Sequence, residues 1–184
     1  MNTLIVIPAY NTQEKLNILI NKISEISMID ILILDDGSFK PIVITADIAN
    51  SIKLFRNKIN KGKGGAIKKA VKYAINNKYT HIITIDSDLQ HDPLKINDFY
   101  NLPSDIDLVI GRRSLKKPMP IHRCISNKLT SFIISRIINN KIYDSQSGFR
   151  RYKIDLFRTK SLNEDGYHLE SEILLKCINR SSKI

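Results

Sequence analysis

The chain has 184 residues, 42% hydrophobic and 26% charged, which fits one globular domain with a real core and excludes a disordered or fibrous polypeptide. Two distant cysteines, Cys124 and Cys177, form no metal or redox motif, and no apolar run approaches the roughly 18 residues of a membrane span. A net charge of +11 calls for a polyanionic partner, whether nucleic acid, an anionic membrane surface or a phosphate-rich substrate.

The apolar start, Met1 to Pro8, is short, uncharged and without a cleavage site, so it reads as a first strand and the chain as cytoplasmic with reduced thiols. Thr3 to Ile7 is a continuous β-branched run, the pattern of a strand covered on both faces. Asn11 with Glu14 three later has the form of a capping box, and Leu16, Leu19, Ile20, Ile23 and Ile26 follow at helical spacing. Ile29 to Leu34 predicts a second strand ending in Asp35-Asp36-Gly37-Ser38. A short helix is expected within Pro41 to Ser51 and a third strand at Ile52 to Phe55. Asn60 to Gly65 reads as a loop feeding a helix that turns Ala66, Ile67, Ala70, Val71, Ala74 and Ile75 inward.

The next apolar run, Tyr79 to Ile85, stops at Asp86-Ser87-Asp88-Leu89-Gln90-His91-Asp92-Pro93. A helix near Pro93 to Tyr100 and a strand from Asp107 to Ile110 come next. Ile121 to Ile138 then reads as a long helix with Ile125, Leu129, Phe132, Ile133 and Ile137 along one side, and a last helix is expected near His168 to Asn179. Strand alternating with helix implies an α/β fold, a mainly parallel sheet with helices on both faces. Ligands in such sheets bind at the carboxyl ends of strands, and Tyr10, Asp36, Asp86, Asp88 and Arg113 all fall just past a strand end.

An isolated D-x-D is more often a solvated turn than a ligand cluster. With Gln90 two positions on and acids at other strand ends, Asp86 and Asp88 instead suit a hard divalent cation, Mg²⁺ or Mn²⁺, carrying a diphosphate. Asp36 could accept from a base or ribose, or simply belong to an Asp-Gly turn. Gly62-Lys63-Gly64-Gly65 lacks P-loop spacing, which leaves Lys63 as a candidate phosphate contact at a helix N-terminus. His91 and His122 are lone histidines, His91 the better candidate ligand. Basic residues cluster where acids are absent: Leu108 to Tyr143 holds Arg112, Arg113, Lys116, Lys117, Arg123, Lys128, Arg136 and Lys141. Next to an over-apolar helix, that stretch fits a segment lying on anionic lipid.

Pro8-Ala9-Tyr10-Asn11, Asp35 to Ser38, Asn60 to Gly65, Asp86 to Pro93, Gly111-Arg112-Arg113 and Asp144 to Arg150 occur in the order seen in family 2 glycosyltransferases. Over residues 3 to 178 the chain resembles the dolichyl-phosphate mannose and glucose synthase branch and its bacterial polyprenyl-phosphate relatives. That resemblance implies a GT-A fold over residues 1–184, with a donor-binding part to about 113 and an acceptor-side part from about 114. It also implies a nucleotide-diphosphate sugar donor, inversion at the anomeric carbon and a lipid-linked acceptor met at the inner membrane face. Nucleic acid is not expected as a partner, because stacking aromatics are scarce among the basic residues.

Carried over by position, Pro8, Tyr10, Leu34 and Asp36 resemble the nucleoside pocket. Asp86, Ser87 and Asp88 would face the diphosphate, Asp86, Asp88 and Gln90 would surround the metal, and Arg113 would contact donor phosphate. Ser147 and Arg150 fall in the acceptor-side motif, where Arg150 could neutralise a lipid phosphate or pair with an acid such as Glu170. Asp144 is the nominee for general base should the acceptor be a hydroxyl, and otherwise caps the turn at Ser145. Thr12 stands where relatives commonly carry glutamate, and relatives continue beyond the equivalent of Ile184, so the chain is expected to be a minimal or a truncated form. The rival readings are a glycan or other hydroxyl acceptor and, further off, a sugar nucleotidyltransferase.

Overall fold

The computed structural model describes residues 1–45, 51–112, 121–138, 141–158, 169–178 and 182–184; the side chains of 121–124, 138 and 178 are outside that description. Four strands run parallel: β1 (Thr3–Ala9), β2 (Asp30–Asp35), β3 (Ile52–Arg56) and β4 (His81–Thr84). With β5 (Leu108–Ile110) and β6 (Arg150–Lys153) they form one sheet in the order β3-β2-β1-β4-β6-β5. β6 is antiparallel to both of its neighbours.

The continuous apolar runs follow from burial on two sides. Leu4, Val6, Leu32, Leu34 and Ile82 face one layer, packed with α2 (Gly62–Asn76) and α6 (Leu169–Ile178). Alternate residues Ile5, Ile7, Ile31, Ile33 and Ile83 face the other, packed with α1 (Gln13–Ser24) and α3 (Ile96–Asn101). α1 buries Leu16, Leu19, Ile20 and Ile23, the stripe its spacing predicts. Along α2 the small residues Gly64, Ala66, Ala70 and Ala74 are buried, which lets the helix axis approach the sheet. α4 (Ile121–Ile138) has the expected bounds, and Cys177 is buried.

Several elements differ from the sequence expectation. Asn11 does not cap α1: it takes a left-handed φ of 53°, and its side-chain oxygen accepts from the Phe39 backbone N–H at 2.9 Å. The glycine-rich segment is not a loop, since α2 begins at Gly62 itself. Residues 41–45 carry no helix, and the rest of that expected helix falls mostly outside the described residues. β6 and the short α5 (Asp155–Arg158) were not foreseen.

β6 is hidden from pattern reading because Arg150-Arg151-Tyr152-Lys153 looks like surface, yet its first three residues are buried. Arg151 is fully buried and donates to the carbonyls of Phe99 (2.8 Å), Leu102 (2.8 Å) and Pro103 (2.7 Å), tying the α3–β5 connection to the sheet. Each charge-assisted bond contributes about 1.5–3 kcal/mol, and orphaned carbonyls add a desolvation cost. Arg151→Met is therefore expected to lower unfolding stability by about 3 kcal/mol or more, read from the midpoint of urea denaturation.

Candidate active site at the strand ends

After β1 the chain steps to β2 and β3 on one side, whereas β4 pairs with the other side of β1. The order therefore reverses between β1 and β4, and a crevice at their carboxyl ends is where such sheets bind ligands. The two strand ends are tied together there. The Ser87 hydroxyl donates to the Pro8 carbonyl at 3.2 Å and shares a 2.9 Å hydrogen bond with the Thr12 hydroxyl. Thr12 thus spends its hydroxyl on Ser87.

The paired acids after β2 separate into two roles. Asp35 is buried and accepts from the Ser38 N–H at 2.8 Å, with the Arg56 Nε at 3.6 Å, so it builds the turn. Asp36, also buried, accepts from the Asn57 side chain at 2.8 Å and from the Lys61 N–H at 3.0 Å, which fixes the approach to α2. Gly37 takes a φ of 78°, and a Cβ there would lie 2.8 Å from the Asn60 nitrogen, so the turn admits only glycine without strain. Tyr10 is exposed beside Phe39, ring centroids 6.1 Å apart, and Leu34 is buried in the core in register with Pro8.

Lys63 lies at the start of α2 but does not project into open solvent. Its Nζ is 2.6 Å from Asp86 and 2.9 Å from Glu170, which α6 supplies. Burial by itself would lower the pKa of this ammonium, but the two carboxylates outweigh burial and hold it above its usual value. Gly148 presses on the pair from the acceptor-side loop: a Cβ there would come within 2.2 Å of both Asp86 Oδ2 and Lys63 Nζ. The Thr84 hydroxyl donates to the Gly148 carbonyl at 2.8 Å and keeps that loop against β4.

Asp88 is half-buried, and its Oδ1 accepts from the Gln90 N–H at 2.9 Å across a turn in which Leu89 has a φ of 62°. Among the described residues no three His, Cys, Asp or Glu side chains form a cage. Two carboxylates and the Gln90 amide are nonetheless a hard oxygen donor set of the kind that holds Mg²⁺ together with substrate phosphates. His91 is buried against Phe149, ring centroids 5.4 Å apart, with its Nε2 3.5 Å from the Ser147 hydroxyl.

At the start of β6, Arg150 is fully buried and donates to the carbonyls of Ser147 (2.7 Å), Glu170 (3.0 Å) and Ser145 (2.6 Å). Its partner on α6 is the Glu170 backbone, and the Glu170 carboxylate goes to Lys63 instead. Ser147 is buried, its hydroxyl accepting from the Phe149 N–H at 3.3 Å. Asp144 is buried and accepts from the Asn127 side chain of α4 at 2.9 Å. A cleft of about 260 Å³ adjoins Asp144, lined in part by Leu108, Ile110, Arg112, Ile142 and Tyr143. Arg113 lies outside the described residues.

The residues that sequence reasoning missed here are Gly148, set against Asp86 and Lys63, and Glu170 as a partner of Lys63. Nothing in a glutamate on an ordinary helical pattern announces a partner 107 positions away.

A mainly parallel sheet with helices on both faces and acids past the ends of β2 and β4 fits the GT-A fold that the resemblance implies. A family model described as glycosyl transferase family 2 matches residues 4–164. The chain is 36% identical over 193 residues to an uncharacterized protein of Methanocaldococcus jannaschii, covering 97% of this chain and 83% of the other. The protein belongs to glycosyl transferase family 2. It is also 23% identical over 199 residues to the polyprenol monophosphomannose synthase of Mycolicibacterium smegmatis, covering 99% of this chain and 74% of that enzyme. Among solved structures it is similar to glucosyl-3-phosphoglycerate synthase from Mycobacterium tuberculosis in complex with Mn²⁺, uridine diphosphate and glucosyl-3-phosphoglycerate. The TM-score is 0.68 at 18% identity, over 97% of this chain and 66% of that one, so the chain spans about two thirds of that protein's length.

Gly148→Ala is expected to push Lys63 and Asp86 apart and to lower stability by about 1–3 kcal/mol, the usual cost of overpacking. Chemical denaturation of the two proteins side by side measures it.

Proposed function

We propose that the protein transfers a sugar, with inversion, from a nucleoside-diphosphate sugar to a polyprenyl-phosphate acceptor at a membrane surface. The observation that carries this reading is the gathering of Asp36, Lys63, Asp86 and Asp88 around the β1–β4 switch point in a chain of this family. Curated relatives such as the M. smegmatis synthase support the lipid-linked acceptor by name.

In this reading Tyr10 and Asp36 receive the nucleoside, with Pro8 and Leu34 setting the pocket's backbone. Ser87 braces the strand ends behind the diphosphate. Asp86, Asp88 and Gln90 would hold Mg²⁺ or Mn²⁺, which when bound supplies Lewis-acid stabilisation of the departing nucleoside diphosphate. Arg113 adds positive charge to the donor phosphates. An oxygen of the acceptor phosphate attacks the anomeric carbon on the face opposite the leaving group. One C–O bond forms, the C–O bond to the diphosphate breaks, and the electron pair leaves with the nucleoside diphosphate. An acceptor phosphate is already ionised at neutral pH, so no side chain has to take a proton. With a hydroxyl acceptor Asp144 would have to do so.

Ser147 and Arg150 would serve the acceptor indirectly, through the loop they hold. Residues to about 113 would serve the donor and later ones the acceptor, although Glu170 reaches back to the donor side.

α4 supports the membrane reading because it is inside out. Asn127, Ser131 and Ser135 face the protein, with Ser131 bonded to Ser145 at 3.0 Å and Ser135 accepting from the Ile142 N–H at 2.9 Å. Its large apolar residues face outward: Ile125, Leu129, Phe132, Ile133 and Ile137 are each between 48% and 61% exposed. Lys128 and Arg136 accompany that face, and α4 has no acidic residue. None of the described helices is long and apolar enough to cross a membrane, so the fitting geometry is a helix lying in the interface plane.

Two experiments test these halves. In a thermal-shift panel of nucleoside diphosphates with Mn²⁺, at least one should raise the melting temperature. Asp88→Ala should weaken that Mn²⁺-dependent binding by roughly 100-fold or more, since loss of an outer-shell partner alone costs about 10–100-fold, while the ligand-free melt stays near wild type. Unchanged affinity would remove the site, and release of pyrophosphate instead of nucleoside diphosphate during turnover would indicate a nucleotidyltransferase.

For the membrane half, the protein should float with liposomes rich in anionic lipid at low salt, and a Phe132→Ser/Ile133→Ser variant should not. Equal flotation of the variant would exclude α4 as the contact.

A further inference from the structure

We infer that Glu170 is a positioning residue of the donor site: by giving Lys63 a second buried carboxylate, it frees Asp86 to exchange the lysine for a divalent cation. This inference rests on the proposed donor site. Lys63 carries one charge and contacts two carboxylates, at 2.6 Å (Asp86) and 2.9 Å (Glu170). The two are not equivalent. The Asp86 side chain is 28% exposed at the carboxyl end of β4, whereas that of Glu170 is 5% exposed and belongs to the interior.

Glu170 is also the better anchored. It lies in the first turn of α6, where the helix dipole favours a negative charge, and its backbone carbonyl accepts from the buried Arg150 at 3.0 Å. Lys63 has the opposite situation, an ammonium in the first turn of α2 with no acidic residue there to offset the positive helix end. With its side chain only 14% exposed, it needs a carboxylate at all times.

If Asp86 were the single partner, releasing it would leave a buried, unpaired ammonium, and Lys63 would compete with any cation that Asp86 might bind. With Glu170 in place, Asp86 can turn its oxygens to the crevice while Lys63 stays paired. Gly148 lies against the exchange, since a Cβ there would overlap the present positions of Lys63 Nζ and Asp86 Oδ2.

The test is a Mn²⁺ titration followed by the electron paramagnetic resonance of the free ion, with the intact protein, alone and with uridine or guanosine diphosphate. Glu170→Gln is expected to weaken Mn²⁺ binding about tenfold, the size of coupling typical within one ion-pair network. Lys63→Met should bind Mn²⁺ at least as tightly as wild type, and adding Glu170→Gln to it should change the affinity by less than about twofold. Thermal melts confirm that each variant is folded.

An unchanged affinity in Glu170→Gln would overturn the inference. So would an equal loss in both backgrounds, which would mean that Glu170 acts on the ion directly and not through Lys63. No Mn²⁺ binding by the wild-type protein under any condition would instead fail the donor-site reading on which the inference stands.

Discussion

A carboxylate at the end of a buried strand has to be matched, and the strand ends of this protein are organised by how that matching is done. Asp35 is satisfied by a turn amide and Arg56, Asp36 by Asn57 and the Lys61 N–H, and Asp86 by Lys63. The first two matches rest mainly on backbone amides, helped by the side chains of Arg56 and Asn57. The third uses a long side chain that already has another carboxylate in reach. Asp86 is thus the acid whose buried cationic partner keeps a second carboxylate when Asp86 lets it go.

The same constraint explains the order of elements around the site. β6 enters antiparallel between β4 and β5, which brings its first residue, Arg150, beside Thr84 and delivers residues 144–149 to the carboxyl end of β4. That loop carries no metal-binding pattern of its own. Its part is to present a bare Gly148 to the Lys63–Asp86 pair and, through Arg150, to hold the first turn of α6 where Glu170 can meet Lys63. The late third of the chain thus completes the electrostatics of a site that the early part begins.

How far the sequence could be read depended on what each residue spends its side chain on. Strands whose residues alternate between two apolar layers, such as Ile5 and Val6 in β1, announce themselves, and so did the helix spacing of α1 and α4. β6 did not, because two of its buried residues are arginines whose donors go to backbone carbonyls. A run of arginines has the same pattern whether solvated or clamped. Asn11 was misread for a related reason: its side chain could cap α1 or bond Phe39, and the left-handed backbone at that position decided for Phe39. In the site, Asp36, Asp86 and Asp88 were legible as acids following strands. Glu170 was not, since its role exists only once α6 lies against α2.

α4 shows the converse case, in which a readable pattern is satisfied in an unexpected direction. An apolar stripe on a helix normally turns to the core, because burial stabilises it by about 25 cal/mol per Å² removed from water. Here the inward side is held by hydroxyl and amide contacts, Ser131 to Ser145 and Asn127 to Asp144, with Ile134 the buried apolar residue among the described side chains. The outward stripe keeps about half of its surface in water. A soluble surface with five large apolar residues on one helix is stable in water only at the cost of exposing them, and the acids that would usually flank such a stripe are absent. The polar contacts to the 142–145 loop fix which face of α4 points outward. The apolar stripe and the 142–145 loop are therefore held in one orientation by the same hydrogen bonds.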